Sequence, residues 1–198
     1  MLYVYLLRHG ETTWNAVGQR YCGITDVPLT EKGISQAKDV AIALQHISFD
    51  AIYSSPFQRA YCTAEVIAAN KQEVITDNRL KETNFGIWEG LSLSQIQEQT
   101  PQLWEAWRTD PDHTAAGKNG ETAKEVVQRA DLFFEEALHK HPTGHIAVIA
   151  HNGLNRFYLA HKLGMPLRNY RKIYQENAAI TLFSLDHTGE LDLLKLNS

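Results

Sequence analysis

Cysteine is nearly missing from this chain: there are two in 198 residues, Cys22 and Cys62, far apart and in no CxxC pair. That argues against a disulfide framework or a zinc cage and fits a reducing compartment. Excess positive charge is missing too, with 19 Lys and Arg against 23 Asp and Glu and a formal net charge of −4. No overall field draws the chain to nucleic acid or to an anionic membrane, so an anionic ligand needs a local cationic site. No stretch approaches the ~18 consecutive apolar residues of a membrane span. The leading apolar run has no basic segment before it and is too short for a signal peptide. Repeats, low-complexity segments and linkers are also lacking. A soluble, cytoplasmic protein with one domain over 1–198 is expected, without nucleic-acid or membrane partners. Its 43% hydrophobic content suits a core that needs no disulfide or metal.

What is present alternates between strand and helix patterns. Residues 2–7 read as a strand covered on both faces. Thr30 is placed to cap a helix whose stripe is Ile34, Ala37, Ala41, Leu44 and Ile47. "FDAIYSS" reads as a short strand, with Pro56 where the next helix would begin and that helix running through 57–70. A brief strand is expected at 73–76, then an irregular stretch, then two short helices broken at Pro101. The segment 121–141 is strongly amphipathic, with Val126, Val127, Ala130, Phe133, Phe134 and Leu138 on its apolar side. "HIAVIAH" is a further buried strand, followed by a helix that Gly164 can cap. Two last strands flank a turn around 187–189. The pattern predicts an α/β protein with a largely parallel sheet.

Chemistry gathers at the expected strand ends, where open α/β sheets bind ligands. The first strand ends in Arg8, His9 and Gly10. The second leads through Ser54, Ser55 and Pro56 to Arg59. A late one ends in His151, Asn152 and Gly153. Were the three strands parallel neighbours, two arginines and two histidines would meet on one rim. Such a cluster is costly unless an anion joins it, and a phosphoryl group accepts from arginine forks and imidazole N–H groups. Two histidines in a phosphate pocket suggest covalent or acid–base chemistry. His46, His113, His139, His141, His161 and His187 read as ordinary surface residues. Arg20 and Lys81 are tempting further cations, though surface placement is at least as good a reading, and Arg156 reads as capping the helix after the second histidine or facing solvent. Glu121 either closes the pocket or caps the long helix.

"LLRHGETTWN" resembles the signature of the histidine phosphatase superfamily, also called phosphoglycerate-mutase-like. "GITDVPLTEKGISQA", "IYSSPFQRAYCTAEVI", "RLKETNFGIWEG", "NGET" and "IAVIAHNG" continue the resemblance in the family's order over about residues 3–155. The resemblance implies a three-layer, doubly wound sheet with helices on both faces. It implies that His9 is the nucleophile, that Arg8, Arg59 and His151 bind the phosphoryl oxygens, and that Asn15 adds a polar contact. Glu82 would protonate the leaving oxygen and then activate water. Thr25 beside Asp26, Asn152, Gly153 and the 84–120 segment would serve substrate binding and specificity. Elementary chemistry agrees. A histidine near its ordinary pKa of ~6.5 is largely neutral at pH 7, flanking arginines favour that form, and arginines stabilise a transferring phosphoryl group. No metal or cofactor is called for.

"NFGIWEG" and the missing middle insertion and tail of the mutases resemble the phosphatase branch. "YCGITDVPLTEKG", "SFDAIYSS" and "LGMP" are similar to α-ribazole-5′-phosphate phosphatases. The expected function is metal-independent hydrolysis of a small phosphate ester, α-ribazole 5′-phosphate among the options. A broad-specificity phosphatase of sugar phosphates or phosphoglycerate is the alternative, then phosphoglycerate mutase. Outside enzymes, the alternative is an inactive phosphate-binding module, which has no need of Glu82. The oligomeric state stays open, a dimer included.

Overall fold

Strand β1 (Leu2–Arg8) lies at the heart of the computed structural model, which describes residues 1–69 and 71–198. It pairs with β4 (Gly144–Ala150) in parallel and with β5 (Ile180–Leu185) antiparallel. Leu2, Val4 and Leu6 point into one core, while Leu7 joins the other. With β2 (Ala51–Ser54), β3 (Val74–Thr76) and β6 (Leu191–Lys195), the sheet order is β3-β2-β4-β1-β5-β6. β5 runs against the other strands, and a short turn joins it to the antiparallel β6; Asp186, whose carboxylate accepts from the Thr188 and Glu190 N–H groups, closes that turn.

Helices cover both faces, as the doubly wound fold requires. On one side α2 (Glu31–Leu44) and α3 (Gln58–Ala68) pack over Leu7, Ile52, Ala147 and Ile149. On the other, α6 (Ala123–Lys140) and α7 (Asn152–Lys162) build the larger core around Phe133, Phe134, Phe157 and Phe183. The short helices α4 (Leu93–Gln99) and α5 (Pro101–Thr109) close that core with Ile96, Trp104 and Trp107. They part at Thr100, as Pro101 demands. The remaining helix, α1 (Thr13–Ala16), is a single turn behind β1. Thr30 caps α2, and Thr122 with Glu125 forms a capping box on α6.

Two local expectations are corrected. Pro56 does not begin α3, which starts at Gln58 with its N–H on Asp26 Oδ2 at 2.8 Å. Ser55 and Phe57 stay outside the helix because both are engaged beside His151, Ser55 by hydrogen bond and Phe57 by ring contact. The expected end of this helix at Asn70 lies outside the described residues. On α2 the buried stripe is Gly33, Ala37, Val40 and Leu44, while Ile34 is exposed. The reason is a backbone contact: a Cβ on Gly33 would stand 2.1 Å from Glu11 O, and one on Gly10 2.4 Å from Gly33 O. Only two glycines allow the helix and the loop after β1 to meet, and their contact sets the helix rotation.

Gly33→Ala therefore tests the packing with a sign opposite to helix propensity. In an exposed helix the change stabilises by about 1 kcal/mol. Here the clash with Glu11 costs roughly 1–3 kcal/mol, so urea denaturation is expected to give a less stable variant. A more stable one refutes the contact.

Candidate active site

The strands β2, β4 and β1 are consecutive and parallel, so their carboxyl ends form one rim. From there the chain leaves β1 toward α2 on one face and β4 toward α7 on the other, which opens a crevice at the topological switch point. Arg8 ends β1 opposite Ala150 of β4, and the His9 N–H continues the ladder to Ala150 O at 3.1 Å. Arg59 enters from the first turn of α3, and His151 is the N-cap residue of α7. Glu82 follows the 3₁₀ turn Asn78–Leu80. All five side chains are buried.

His9 Nδ1 lies 2.7 Å from Gly10 O. A carbonyl only accepts, so Nδ1 carries the proton and Nε2 keeps its lone pair. Burial, then the guanidiniums of Arg59 and Arg8, hold the His9 pKa well below its ordinary value. Its ring meets that of His151 edge-on at 5.2 Å. His151 has the opposite tautomer: Nδ1 accepts from Arg59 Nε at 3.2 Å, so Nε2–H donates to Ser55 Oγ at 2.8 Å. Its pKa is likewise held well below the usual range, first by burial and next by Arg59.

Each buried arginine is held by carbonyls. Arg59 donates to Gly23 O at 2.7 Å and Thr25 O at 2.9 Å, with Asp26 Oδ1 at 3.6 Å. Arg8 donates to Gln175 O at 2.9 Å, while its Nε is buried without a partner. Burial pulls both pKa values down, that of Arg8 to about 10. The loop holding Arg59 is itself tied to Glu89, which accepts from the Ile24 and Thr25 N–H groups and the Thr25 hydroxyl.

Glu82 meets the start of α7. Its carboxylate accepts from Gly153 N–H at 2.9 Å, Leu154 N–H at 3.0 Å and Thr83 N–H at 2.8 Å. This sits well with the helix dipole. A Cβ on Gly153 would stand 2.6 Å from Glu82 Oε1, so glycine is required there. Arg129 braces the segment by donating to Arg79 O and Lys81 O at 2.7 and 2.6 Å. Glu121 pairs with Arg129 and accepts from Asn84 N–H, so it neither caps α6 nor lines the cavity.

Arg8, His9, Asn15, Glu82, Asn152 and Gly153 line a cavity of about 240 Å³, as expected, together with others that sequence reasoning passed over. Arg59 and His151 are not in that lining and reach it through their contacts with each other and, for His151, with the His9 ring. Asn15 Oδ1 is occupied by Thr12 and Asn177, so Nδ2 is what it has to offer. Asn152 Oδ1 is buried without a partner. Gly153 lends its N–H to Glu82. Thr25 is not in the lining; its carbonyl holds Arg59 instead. Arg20 and Arg156 do line it, against the surface reading, whereas Lys81 lies over the Phe57 ring at 5.8 Å. Tyr21, Tyr170 and Arg171 were missed, whereas Phe85 and Leu93 fall in the 84–120 segment expected to serve specificity. Among the described residues no group of three or more His, Cys, Asp or Glu side chains is placed to hold a metal, and no helix is long and apolar enough to cross a membrane.

A crevice at the ends of parallel strands, with two histidines and two arginines around a buried carboxylate, defines a protein built for phosphoryl groups. The chain belongs to the histidine phosphatase superfamily (branch 1), whose pattern it matches over residues 4–198. It is thus an enzyme of the histidine phosphatase type. It is 33% identical to phosphoserine phosphatase 1 of Hydrogenobacter thermophilus over 198 residues, covering all of this chain and 92% of that one. It is 32% identical to the adenosylcobalamin/alpha-ribazole phosphatase of Escherichia coli, covering 82% of this chain and 80% of that one. A mutant phosphoserine phosphatase from Entamoeba histolytica, solved in complex with phosphoserine, superposes with a TM-score of 0.91 at 30% identity, covering 100% and 98% of the two chains.

Both low histidine pKa values make folding pH-dependent. The unfolded chain binds protons near pH 6.5 and the folded one only at lower pH, so stability is complete above that value and falls below it. Each histidine contributes a loss of up to about 1.4 kcal/mol per pH unit until its folded pKa is reached. Imidazole ¹⁵N spectra at pH 7 should find His9 protonated on Nδ1 and His151 on Nε2. A His9 that titrates near 6.5 contradicts the geometry.

Proposed function

We propose that the protein hydrolyses phosphate monoesters of small metabolites through a phosphohistidine on His9, without a metal. The observation that carries this reading is the His9 tautomer: a bare Nε2 in a cationic cavity that also holds a buried carboxylate. In the first step the Nε2 lone pair attacks phosphorus and the ester P–O bond breaks. The leaving oxygen takes its proton from Glu82. In the second step Glu82 removes a proton from water, the hydroxide attacks phosphorus, and the Nε2–P bond breaks to release phosphate.

Arg8 and Arg59 oppose the charge on the equatorial oxygens, and their carbonyl anchors keep them from reorganising as it develops. His151 braces Arg59 and packs its ring against that of His9. Asn15 and Asn152 supply uncharged contacts through Nδ2 and Oδ1. The arginines fill the electrostatic role that Mg²⁺ has in many phosphoryl transfers.

The 84–120 segment sets substrate choice. It contributes Phe85 and Leu93 to the cavity and Trp104 behind Arg171. Support for a phosphatase comes from relatives whose names cover phosphoserine, alpha-ribazole and 2-carboxy-D-arabinitol-1-phosphate cleavage. Hydrolysis of α-ribazole 5′-phosphate belongs among the substrates to be assayed.

p-Nitrophenyl phosphate cleavage is expected to proceed equally with and without EDTA. Turnover quenched in alkaline detergent should trap one phosphoryl group on His9 that is stable in base and lost in acid. Removing a nucleophile costs on the order of 10³–10⁶ in kcat, so His9→Ala is expected to be nearly inactive. Glu82→Gln is expected to lose about 10²–10⁴. Equal release of phosphate by wild type and His9→Ala would remove the nucleophile assignment.

A further inference from the structure

The free nitrogen of His9 depends on the orientation of one peptide. Nδ1 carries the proton because the Gly10 carbonyl faces it at 2.7 Å. Turned over, the Gly10–Glu11 peptide would aim the Glu11 N–H at Nδ1 instead. The proton would then sit on Nε2, the atom that has to keep its lone pair. Gly10 has no side chain to oppose such a turn, so the plane of this peptide needs a hold from outside the loop.

The peptides on either side are pinned. In His9–Gly10 the carbonyl accepts from Ala178 N–H at 3.1 Å and Asn177 Nδ2 at 3.2 Å, and the N–H donates to the buried Thr63 Oγ1 at 3.1 Å. In Glu11–Thr12 the carbonyl accepts from Thr30 N–H at 2.9 Å, and the N–H donates to Asn15 Oδ1 at 3.1 Å. The peptide between them is held on its N–H side by a side chain of α2: Glu11 N–H donates to Gln36 Oε1 at 2.8 Å. A backbone N–H only donates, so the end of Gln36 that meets it is the oxygen.

Gln36 reaches this peptide through the contact between the two glycines. It lies one turn beyond Gly33 on α2, on the face that Gly33 lays against Gly10 and Glu11. A side chain at either glycine would push the helix away and take Gln36 out of reach. The two hydrogen bonds then act through one amide: an acceptor on its N–H strengthens its carbonyl as an acceptor for His9. A peptide and an amide oxygen thus do for His9 what a carboxylate does for other working histidines, which is to choose the tautomer. Gln36 is not in the cavity lining, so it has no direct contact to offer a substrate there.

We propose that Gln36 is a positioning residue for the nucleophile: by accepting from Glu11 N–H it holds Gly10 O against His9 Nδ1 and keeps Nε2 unprotonated. The inference rests on the reading of His9 as the nucleophile and names what secures its tautomer.

The test begins with the wild type. The Glu11 amide is expected to exchange slowly with solvent, and imidazole ¹⁵N spectra at pH 7 to show His9 only in the Nδ1-protonated form. Gln36→Leu removes the acceptor, and the Nε2-protonated form should appear beside the other. Partners that orient a working histidine contribute about 10–100-fold, so single-turnover phosphorylation of His9 by p-nitrophenyl phosphate should slow by that factor. The inhibition constant of inorganic phosphate, which reports on Arg8 and Arg59, should stay near the wild-type value. Gln36→Glu keeps an oxygen that accepts and should keep the wild-type tautomer and most of the rate. Circular dichroism and thermal melts establish that each variant is folded, and the exchange measurement needs no variant. A Glu11 amide that exchanges as fast as an unprotected one overturns the proposal. So does a folded Gln36→Leu whose His9 keeps the wild-type tautomer, whatever its rate, and so does a loss that Gln36→Glu shares in full. A wild type in which His9 takes up no phosphoryl group overturns the nucleophile reading beneath it, an outcome read separately from the tautomer.

Discussion

Two guanidiniums are buried at the ends of β1 and α3, and much of the surrounding backbone is arranged to make that tolerable. Neither Arg8 nor Arg59 has a close carboxylate partner; the nearest, Asp26, stands 3.6 Å from Arg59. Main-chain carbonyls of Gly23, Thr25 and Gln175 take the N–H groups instead. Dipoles satisfy hydrogen bonds without cancelling charge, so the space between the arginines stays electropositive. A carboxylate partner would satisfy the same donors and abolish the field.

That constraint spreads outward. The Gly23 and Thr25 carbonyls are in place because Glu89 gathers the 24–25 N–H groups, which links the arginine to a segment far along the chain. Gln175 is fixed by Asn155 and Thr181. His9 is neutral because the arginines and burial make it so, and the Gly10 carbonyl then chooses which nitrogen keeps its lone pair. Among the described residues Glu82 is the one acid in the cavity lining, and its carboxylate is anchored by backbone N–H groups at the helix N-terminus rather than by a hydrogen bond from either arginine. Separation of carboxylate from guanidinium keeps both available for a ligand.

The cavity wall around Arg156 and Arg171 follows a different rule. Arg171 and Arg156 lie against Trp104, Tyr21 and Tyr170, whose ring faces attract cations while leaving the in-plane N–H groups free. Long side chains that would otherwise sample many rotamers are thus held at little entropic cost to a ligand. Helix α7 and the 3₁₀ turn Leu167–Lys172 deliver this wall, and the 84–120 segment supports it through Trp104 and through the Gly90 carbonyl that accepts from Arg20.

Much of this was legible in the sequence where the signal is local. The strand ends Arg8-His9 and His151-Asn152, the cap at Thr30, and the break at Pro101 each depend on residues within a turn or two. Their convergence on one rim followed from the rule for parallel neighbours. Other features were not legible. The rotation of α2 depends on a contact between Gly10 and Gly33, and the hydrophobic stripe around Ile34 pointed one residue astray. Arg20 and Arg156 read as surface residues and Arg171 drew no attention, since the sequence does not announce that Trp104 and Tyr21 meet Arg171 or that Tyr170 meets Arg156. By itself the sequence determined the polar side chains at the strand ends and the strands that carry them, because side-chain identity and periodicity are local properties. Only the tertiary structure decided which nitrogen of each histidine bears the proton, what anchors Glu82, and which cations face the ligand. Those depend on distances between residues far apart in the chain, and packing alone sets them.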